Sequence, residues 1–275
     1  MTDHKKARPP EPTEALKPGD EEVSAYRELR RIVARLRAPD GCPWDREQTH
    51  ESLKPYLVQE AYEVLAVLDE GDVGRLPEEL GDLLFQVLIH TQLAEEAGEF
   101  AMGDVLSGLA DKLVRRHPHV FGEGKLADAA QVVEQWDRLK AAERAEAESA
   151  LSGVPRSLPA LAYAQELLRR AGAAGFEWPD RRDVLAKVEE ELREMAEVTD
   201  RRRRAEEFGD LLLNLANWAR YSDIDAEEAL RLAATKFGRR FEEVERLARA
   251  EGRPLAEMDL AGLLRLWAQA KEAKG

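Results

Sequence analysis

Cysteine is almost missing: Cys42 is the only one in 275 residues. One thiol excludes an internal disulfide framework and suits a reducing compartment. Aromatic residues are scarce at 6%, and no segment alternates apolar and polar residues over a strand's length. Both shortages argue against a β-sandwich or barrel. Long apolar runs are missing too. The longest uncharged one, about 83–94, is too short to cross a bilayer. The polar, proline-bearing start offers no apolar signal segment. The expected setting is the cytoplasm. Positive charge is in deficit: 41 Lys+Arg against 55 Asp+Glu leave −14. Such a chain is a poor partner for a nucleic acid polymer. A small phosphorylated ligand stays open where a cation mediates. No GxxxxGK[ST] loop is present, so a P-loop ATPase is not expected.

What is present is 44% apolar and 35% charged residues, the mixture of helices with charged faces. Residues 1–22 hold four prolines among mixed charges and read as a disordered tail. Helical spacing runs from 26 to 36. Two prolines and a glycine then interrupt it at 38–45. It returns at 52–68, stops at Gly71–Asp72, restarts near Pro77 and continues to Gly98. Further helices are expected near 102–117, 128–148, 160–171, 181–198, 204–221, 226–250 and 259–273. Residues 151–159, rich in Pro, Ser and Gly, read as a linker. The expected fold is all-α: an N-terminal helical domain over 23–150 and a C-terminal one over 160–275.

The two halves echo each other. Gln59–Glu60–Ala61–Tyr62–Glu63 returns as Glu190–Glu191–Leu192–Arg193–Glu194, offset 131. Glu78–Glu79–Leu80–Gly81–Asp82 returns as Glu206–Glu207–Phe208–Gly209–Asp210, offset 128. Lys112, Arg115 and Arg116 return as Lys236, Arg239 and Arg240, offset 124, and Trp136 returns as Trp267, offset 131. Four blocks in one order at nearly constant offset indicate a tandem duplication.

The repeated residues form a chemical set. Glu191 and Glu194 project from one face of a helix, and Glu207 and Asp210 from one face of the next. A short turn near Thr199–Asp200 makes the two an antiparallel hairpin, so four carboxylates can meet. Glu60, Glu63, Glu79 and Asp82 repeat the set in the first copy. Clustered carboxylates repel and call for a cation, and all-oxygen donors select Mg²⁺ or Mn²⁺ over zinc. Acids three apart are ordinarily a solvated face; these lie beside an apolar stripe and occur twice. Lys236, Arg239 and Arg240 share about one helical turn. They suit phosphate oxygens, or neutralise the nearby Glu242 and Glu243. Trp136 and Trp267 either stack on a base or fill a core. Cys42 reads as a plain thiol.

These stretches resemble the MazG-type nucleoside triphosphate pyrophosphohydrolases of the all-α NTP pyrophosphatase superfamily. The metal motif is joined by GCPWDREQTHESLKPYL (41–57), EELGDLLFQVLIH (78–90), KLVRRHPHVFG (112–122), GVPRSLPAL (153–161), GFEW (175–178) and KFGRRFEEVER (236–246). The resemblance covers about 25–273. It implies two tandem MazG-like bundles and hydrolysis of nucleoside triphosphates between the α- and β-phosphates with Mg²⁺. It implies metal ligands at Glu191, Glu194, Glu207 and Asp210. It places nucleotide contacts at Lys187, Val188, Glu189 and Glu190, at Arg203, Arg204 and Glu206, at Lys236, Phe237, Arg239 and Arg240, and at Trp267. It also implies a homodimer and a more active C-terminal copy. The residues agree on the last point: Glu190 is free to act as general base, whereas the first copy has Gln59 there, which cannot take a proton from water. The first metal site is therefore expected to be the weaker. A di-iron carboxylate bundle is a poorer reading, because only Glu47–His50 has the ExxH spacing. A non-enzymatic helical scaffold would want unbroken heptads, which the Gly and Pro breaks deny.

Overall fold

The computed structural model describes residues 19–122 and 149–274, with 128–129, 131–132, 135–136 and 139 between them. Every regular element among them is helical. The chain divides between Gly124 and Lys125 into two compact units. The expected helix at 128–148 lies mostly outside the described residues.

The first unit holds α1 (Asp20–Arg37), α2 (Pro43–Glu47), α3 (His50–Glu70), α4 (Leu76–Ala97), α5 (Met102–Arg116) and α6 (Pro118–Phe121). The expected tail is corrected at its end: α1 already begins at Asp20. Asp20, Glu21 and Glu22 sit in its first turn, where acids complement the helix dipole. The Glu22 carboxylate accepts the Gly19 N–H at 3.2 Å. The short α2 falls inside the segment read as a break. Pro43 starts it at a position where no N–H is needed. Thr49 caps α3 by accepting the Ser52 N–H at 3.1 Å. Gly71 ends α3 at φ 68°, a left-handed turn that favours glycine. The chain then folds back as α4. Val33, Leu53, Leu88, Ile89 and Met102 form the core on which this hairpin rests.

The second unit holds α7 (Ala160–Ala173), α8 (Arg181–Glu197), α9 (Arg201–Arg220), α10 (Ala226–Ala250), a 3₁₀ turn (Leu255–Glu257) and α11 (Leu260–Lys274). The residues leading into α7 are fastened to it: Val154 is buried, and the Arg170 guanidinium donates to the Ser152 carbonyl at 2.5 Å. Asp200 caps α9 by accepting the Arg202 and Arg203 N–H groups at 3.0 and 2.9 Å. The α8–α9 turn is thus three residues, shorter than the α3–α4 turn. Gln165 of α7 pins the other end of α9. Its Nε2 donates to the Ala216 and Ile224 carbonyls, and its Oε1 accepts the Ala226 N–H. A second hairpin, α10–α11, closes around Val244, Ala248, Leu266 and Ala270.

Candidate metal centre

On α8 the buried positions are Val184, Val188 and Glu191. They follow at i, i+4 and i+7, so Glu191 occupies the apolar stripe itself. At 4% exposure its carboxylate needs compensation. Lys187, one turn earlier, supplies it: Nζ lies 3.0 Å from Glu191 Oε1 and 3.1 Å from Glu190 Oε1. Asn214 of α9 adds a longer bond from Nδ2 at 3.4 Å. The two acids push the Lys187 ammonium up to about 12, Glu191 contributing more than Glu190.

Glu191, Glu194 and Glu207 each offer an oxygen within 4.8 Å of the others. Two residues come from α8 and one from α9, so the turn at Asp200 is what assembles them. Glu194 is raised above the ordinary carboxylate range. Loss of hydration is the first cause; repulsion from Glu191, Glu207 and Glu190 adds to it, against the pull of Lys187. Three carboxylates without nitrogen or sulfur suit a hard divalent cation. The ammonium already seated between Glu190 and Glu191 is a tethered stand-in for positive charge. The residues therefore fit a divalent metal.

Asp210 stands one turn beyond Glu207 on the same face and is exposed; its oxygens lie outside that group of three. Beside the acids, Glu194, Glu197, Thr199, Asp200, Arg203 and Glu207 surround a cavity of about 470 Å³ at the turn. Among the described residues that line it, Arg203 is the one basic side chain. Other expected contacts face elsewhere. Val188 is buried, 5% exposed. Arg204 donates to the Val198 carbonyl at 2.8 Å and secures the end of α8. Glu206 pairs with Arg202 at 3.3 Å, and Glu189 is exposed.

The first unit repeats the arrangement with different partners. Glu60 is raised by loss of hydration first, then by Glu63, Asp82 and Glu79. The four acids thus share one neighbourhood, but no three of them close to the spacing seen in the second unit. Gln59 Nε2 donates to Glu63 at 2.9 Å, and Arg75 holds Glu79 at 2.9 Å. Arg75 is the counterpart of Arg203 at offset 128. Among the described residues no lysine pairs with this set; Tyr56 stands where the second copy has Lys187, at offset 131.

Lys236, Arg239 and Arg240 share one face of α10. They make no ion pair with the four acids, or with any other group among the described residues. Glu243, named beforehand as their possible partner, is taken by Arg246 at 2.6 Å. Arg240 Nε is buried without a hydrogen-bond partner. Trp267 leans on Phe237 at 5.3 Å between ring centres and packs against the α10–α11 core. Asn214 was not anticipated. Its place four residues after Asp210 was the available signal, and a neutral amide among acids did not declare itself.

A family model, the MazG nucleotide pyrophosphohydrolase domain, matches residues 48–121. That span contains Glu60, Glu63, Glu79 and Asp82. The nucleoside triphosphate pyrophosphohydrolase/pyrophosphatase MazG of Thermotoga maritima is 44% identical over 247 residues, which is 90% of this chain and 95% of the relative. The chain belongs to the MazG family. The nucleoside triphosphate pyrophosphohydrolase of Escherichia coli K12 is 43% identical over 248 residues, covering 87% of this chain and 94% of that protein. A MazG relative from Mycobacterium tuberculosis bearing the same name is 44% identical over 136 residues, 49% of this chain and 41% of its own. The full-length relatives thus extend across both acid hairpins, while the family model covers the first. Among the described residues no helix is long and apolar enough to cross a membrane.

Proposed function

We propose that this chain hydrolyses nucleoside triphosphates between the α- and β-phosphates, releasing the monophosphate and pyrophosphate, with its second unit as the main catalytic copy. The observation that carries the reading is the three-carboxylate group of Glu191, Glu194 and Glu207 beside an Arg203-lined cavity. Mg²⁺, or Mn²⁺, held by these residues with Asp210 drawn in, would neutralise phosphate charge and polarise the attacked phosphorus. The chain supplies the rest. Arg203 holds a non-bridging phosphate oxygen at the mouth. Lys187, released from Glu190 as phosphate enters, binds a second one. Glu190 then accepts the proton of the attacking water. The water oxygen bonds to the α-phosphorus, and the bond to the α–β bridging oxygen breaks, so pyrophosphate departs with the electron pair.

Lys236, Arg239 and Arg240 make no ion pair with the acids within one chain. We infer that a second copy brings them in, where they stabilise charge on the departing pyrophosphate. The apolar side chains left exposed on α8 and α9, among them Leu185, Leu192, Phe208, Leu212 and Leu215, support a homodimer. The cytoplasm is the setting in which such a nucleotide-pool enzyme works.

The test is incubation with mixed nucleoside triphosphates in Mg²⁺ or in EDTA, with products resolved chromatographically. Monophosphate and pyrophosphate in Mg²⁺ alone are expected. Release of orthophosphate and diphosphate would place the cleavage elsewhere and refute the assignment.

A further inference from the structure

Helix α9 opens on Arg201, Arg202, Arg203 and Arg204, with no acid in its first turn. Four cations at a helix N-terminus have the wrong sign for its dipole, so local helix preference does not explain them. Arg202 is turned to Glu206 at 3.3 Å, and Arg203 lines the cavity beside the acids. Arg204 has a third place. It makes no ion pair among the described residues; its Nε and Nη2 both donate to the Val198 carbonyl, at 3.1 and 2.8 Å. Val198 is the C-cap of α8. Its carbonyl lies where a helix leaves unpaired acceptors and a partial negative charge, and a guanidinium placed there is favourable on both counts.

The bond bears on the acids. The Val198 N–H donates to the Glu194 carbonyl at 3.1 Å, so the residue that Arg204 grips hangs from the backbone of a cation-site acid. On its own helix Arg204 stands three residues before Glu207, on the same side. Its N–H donates to the Asp200 carbonyl at 3.0 Å. One side chain thus ties the end of α8, behind Glu194, to the start of α9, ahead of Glu207. Asp200 fixes the turn differently: its carboxylate accepts the Arg202 and Arg203 N–H groups, both on α9. The first copy serves as an internal control. At offset 128 Arg204 corresponds to Leu76, which has no side-chain donor. There the helices are joined by residues 71–75, a longer turn. Among the described residues no three of Glu60, Glu63, Glu79 and Asp82 close to the spacing of Glu191, Glu194 and Glu207.

We propose that Arg204 is a positioning residue: by holding the Val198 carbonyl it sets the distance between the acids of α8 and those of α9, and so the affinity of the second unit for its divalent cation. It touches neither the cation nor the substrate. This rests on the metal-dependent hydrolysis reading above and separates two neighbouring arginines by task, Arg203 toward phosphate and Arg204 toward the turn. Lysine replaces it only in part, because an ammonium meets a carbonyl with one N–H where the guanidinium fork presents two.

Two charge-matched variants of the full chain test it. Arg204→Met removes the fork and keeps an unbranched side chain. Arg202→Met removes the same charge two residues away without touching Val198. By electrostatics alone, losing either cation tightens the binding of a divalent ion nearby. Losing the clamp does the opposite, and only at Arg204. Mn²⁺ titration followed by electron paramagnetic resonance is expected to show about fivefold weaker binding in Arg204→Met, the worth of one such hydrogen bond. Arg202→Met binds equally or more tightly, and Arg204→Lys falls between Arg204→Met and the wild type. In turnover of ATP, Arg204→Met needs more Mg²⁺ for its half-maximal rate, and at saturating Mg²⁺ its KM for ATP matches the wild type. Mn²⁺ binding in Arg204→Met as tight as in the wild type overturns the proposal, and so does an equal weakening in Arg202→Met. A raised KM that saturating Mg²⁺ does not relieve makes Arg204 a substrate contact and overturns it too. Amide hydrogen exchange of residues 198–204 in EDTA reads the clamp without metal and is expected to be faster in Arg204→Met. If the wild type binds no Mn²⁺, the metal reading fails; faster exchange then leaves the clamp of the turn standing, and unaltered exchange removes it as well. If the wild type binds Mn²⁺ and cleaves ATP, and Arg204→Met does both equally well, the clamp alone fails.

Discussion

Lys187→Met removes the cation that bridges Glu190 and Glu191 while keeping an unbranched side chain of similar length. The ammonium is pushed from 10.5 to about 12 by those carboxylates, an interaction of about 2 kcal/mol at most. The side chain is 31% exposed, so screening by water reduces this to about 1 kcal/mol. A raised lysine stabilises the fold fully below 10.5 and loses that contribution as pH rises through about 12. At pH 7 the metal-free variant is therefore less stable than the wild type by about 1 kcal/mol. Metal binding moves the opposite way. In the wild type a divalent cation must share Glu191 with the ammonium, or displace it. Without Lys187 the same ~1 kcal/mol appears as about fivefold tighter binding. Mn²⁺ titration followed by electron paramagnetic resonance reads the affinity, and urea unfolding in EDTA reads the stability. Equal or weaker Mn²⁺ binding in Lys187→Met would refute the view that this lysine competes for the cation's place.

Glu194→Ala lowers turnover of nucleoside triphosphates by ~10²-fold or more, whereas Glu63→Ala leaves most of it; the opposite ranking in the same assay would make the first copy the working one. Glu207→Gln loses activity yet raises the melting temperature in EDTA, because it removes one of the charges that repel Glu194. Glu166 is held down to about 2, by Arg169 first and then Arg170. Its contribution is present above 4.5 and is lost as pH falls toward 2, so Glu166→Gln costs about 1–2 kcal/mol at pH 7 and almost nothing near pH 2. Urea midpoints across that range check it, and a constant difference would deny the linkage. Light scattering at micromolar concentrations should return twice the chain mass.

The hairpins were legible in the sequence because helical period and repeat reinforce each other: Glu191 and Glu194, Glu207 and Asp210 announce two faces joined by a short turn. Lys187 was legible for the same reason, since contact at i+3 and i+4 is a property of any helix. The short α2 and α6 were not. Each is about one turn, started by a proline, and carries no period to detect. That α1 starts at Asp20 was hidden because its first turn is all acid, which resembles a polar tail until the helix dipole is considered. That Asp210 stands outside the closest group of oxygens depends on side-chain orientation, which spacing does not specify. Whether Lys236, Arg239 and Arg240 pair with the acids is a matter of how hairpins pack, and no local pattern encodes it.

The short α8–α9 turn also bears on how this protein comes into being. Everything that gathers Glu191, Glu194 and Glu207 lies between Lys187 and Asn214, two helices and three residues of turn. Contacts of such small sequence separation close quickly, because little chain must be ordered before they form. The hairpin that carries these three acids can thus take shape as soon as it has left the ribosome, without waiting for α10 and α11. A unit that assembles from nearby neighbours also tolerates being copied: a second hairpin placed upstream does not compete for its partners during folding. Each copy was then at liberty to change on its own, one carrying Gln59 where the other carries Glu190.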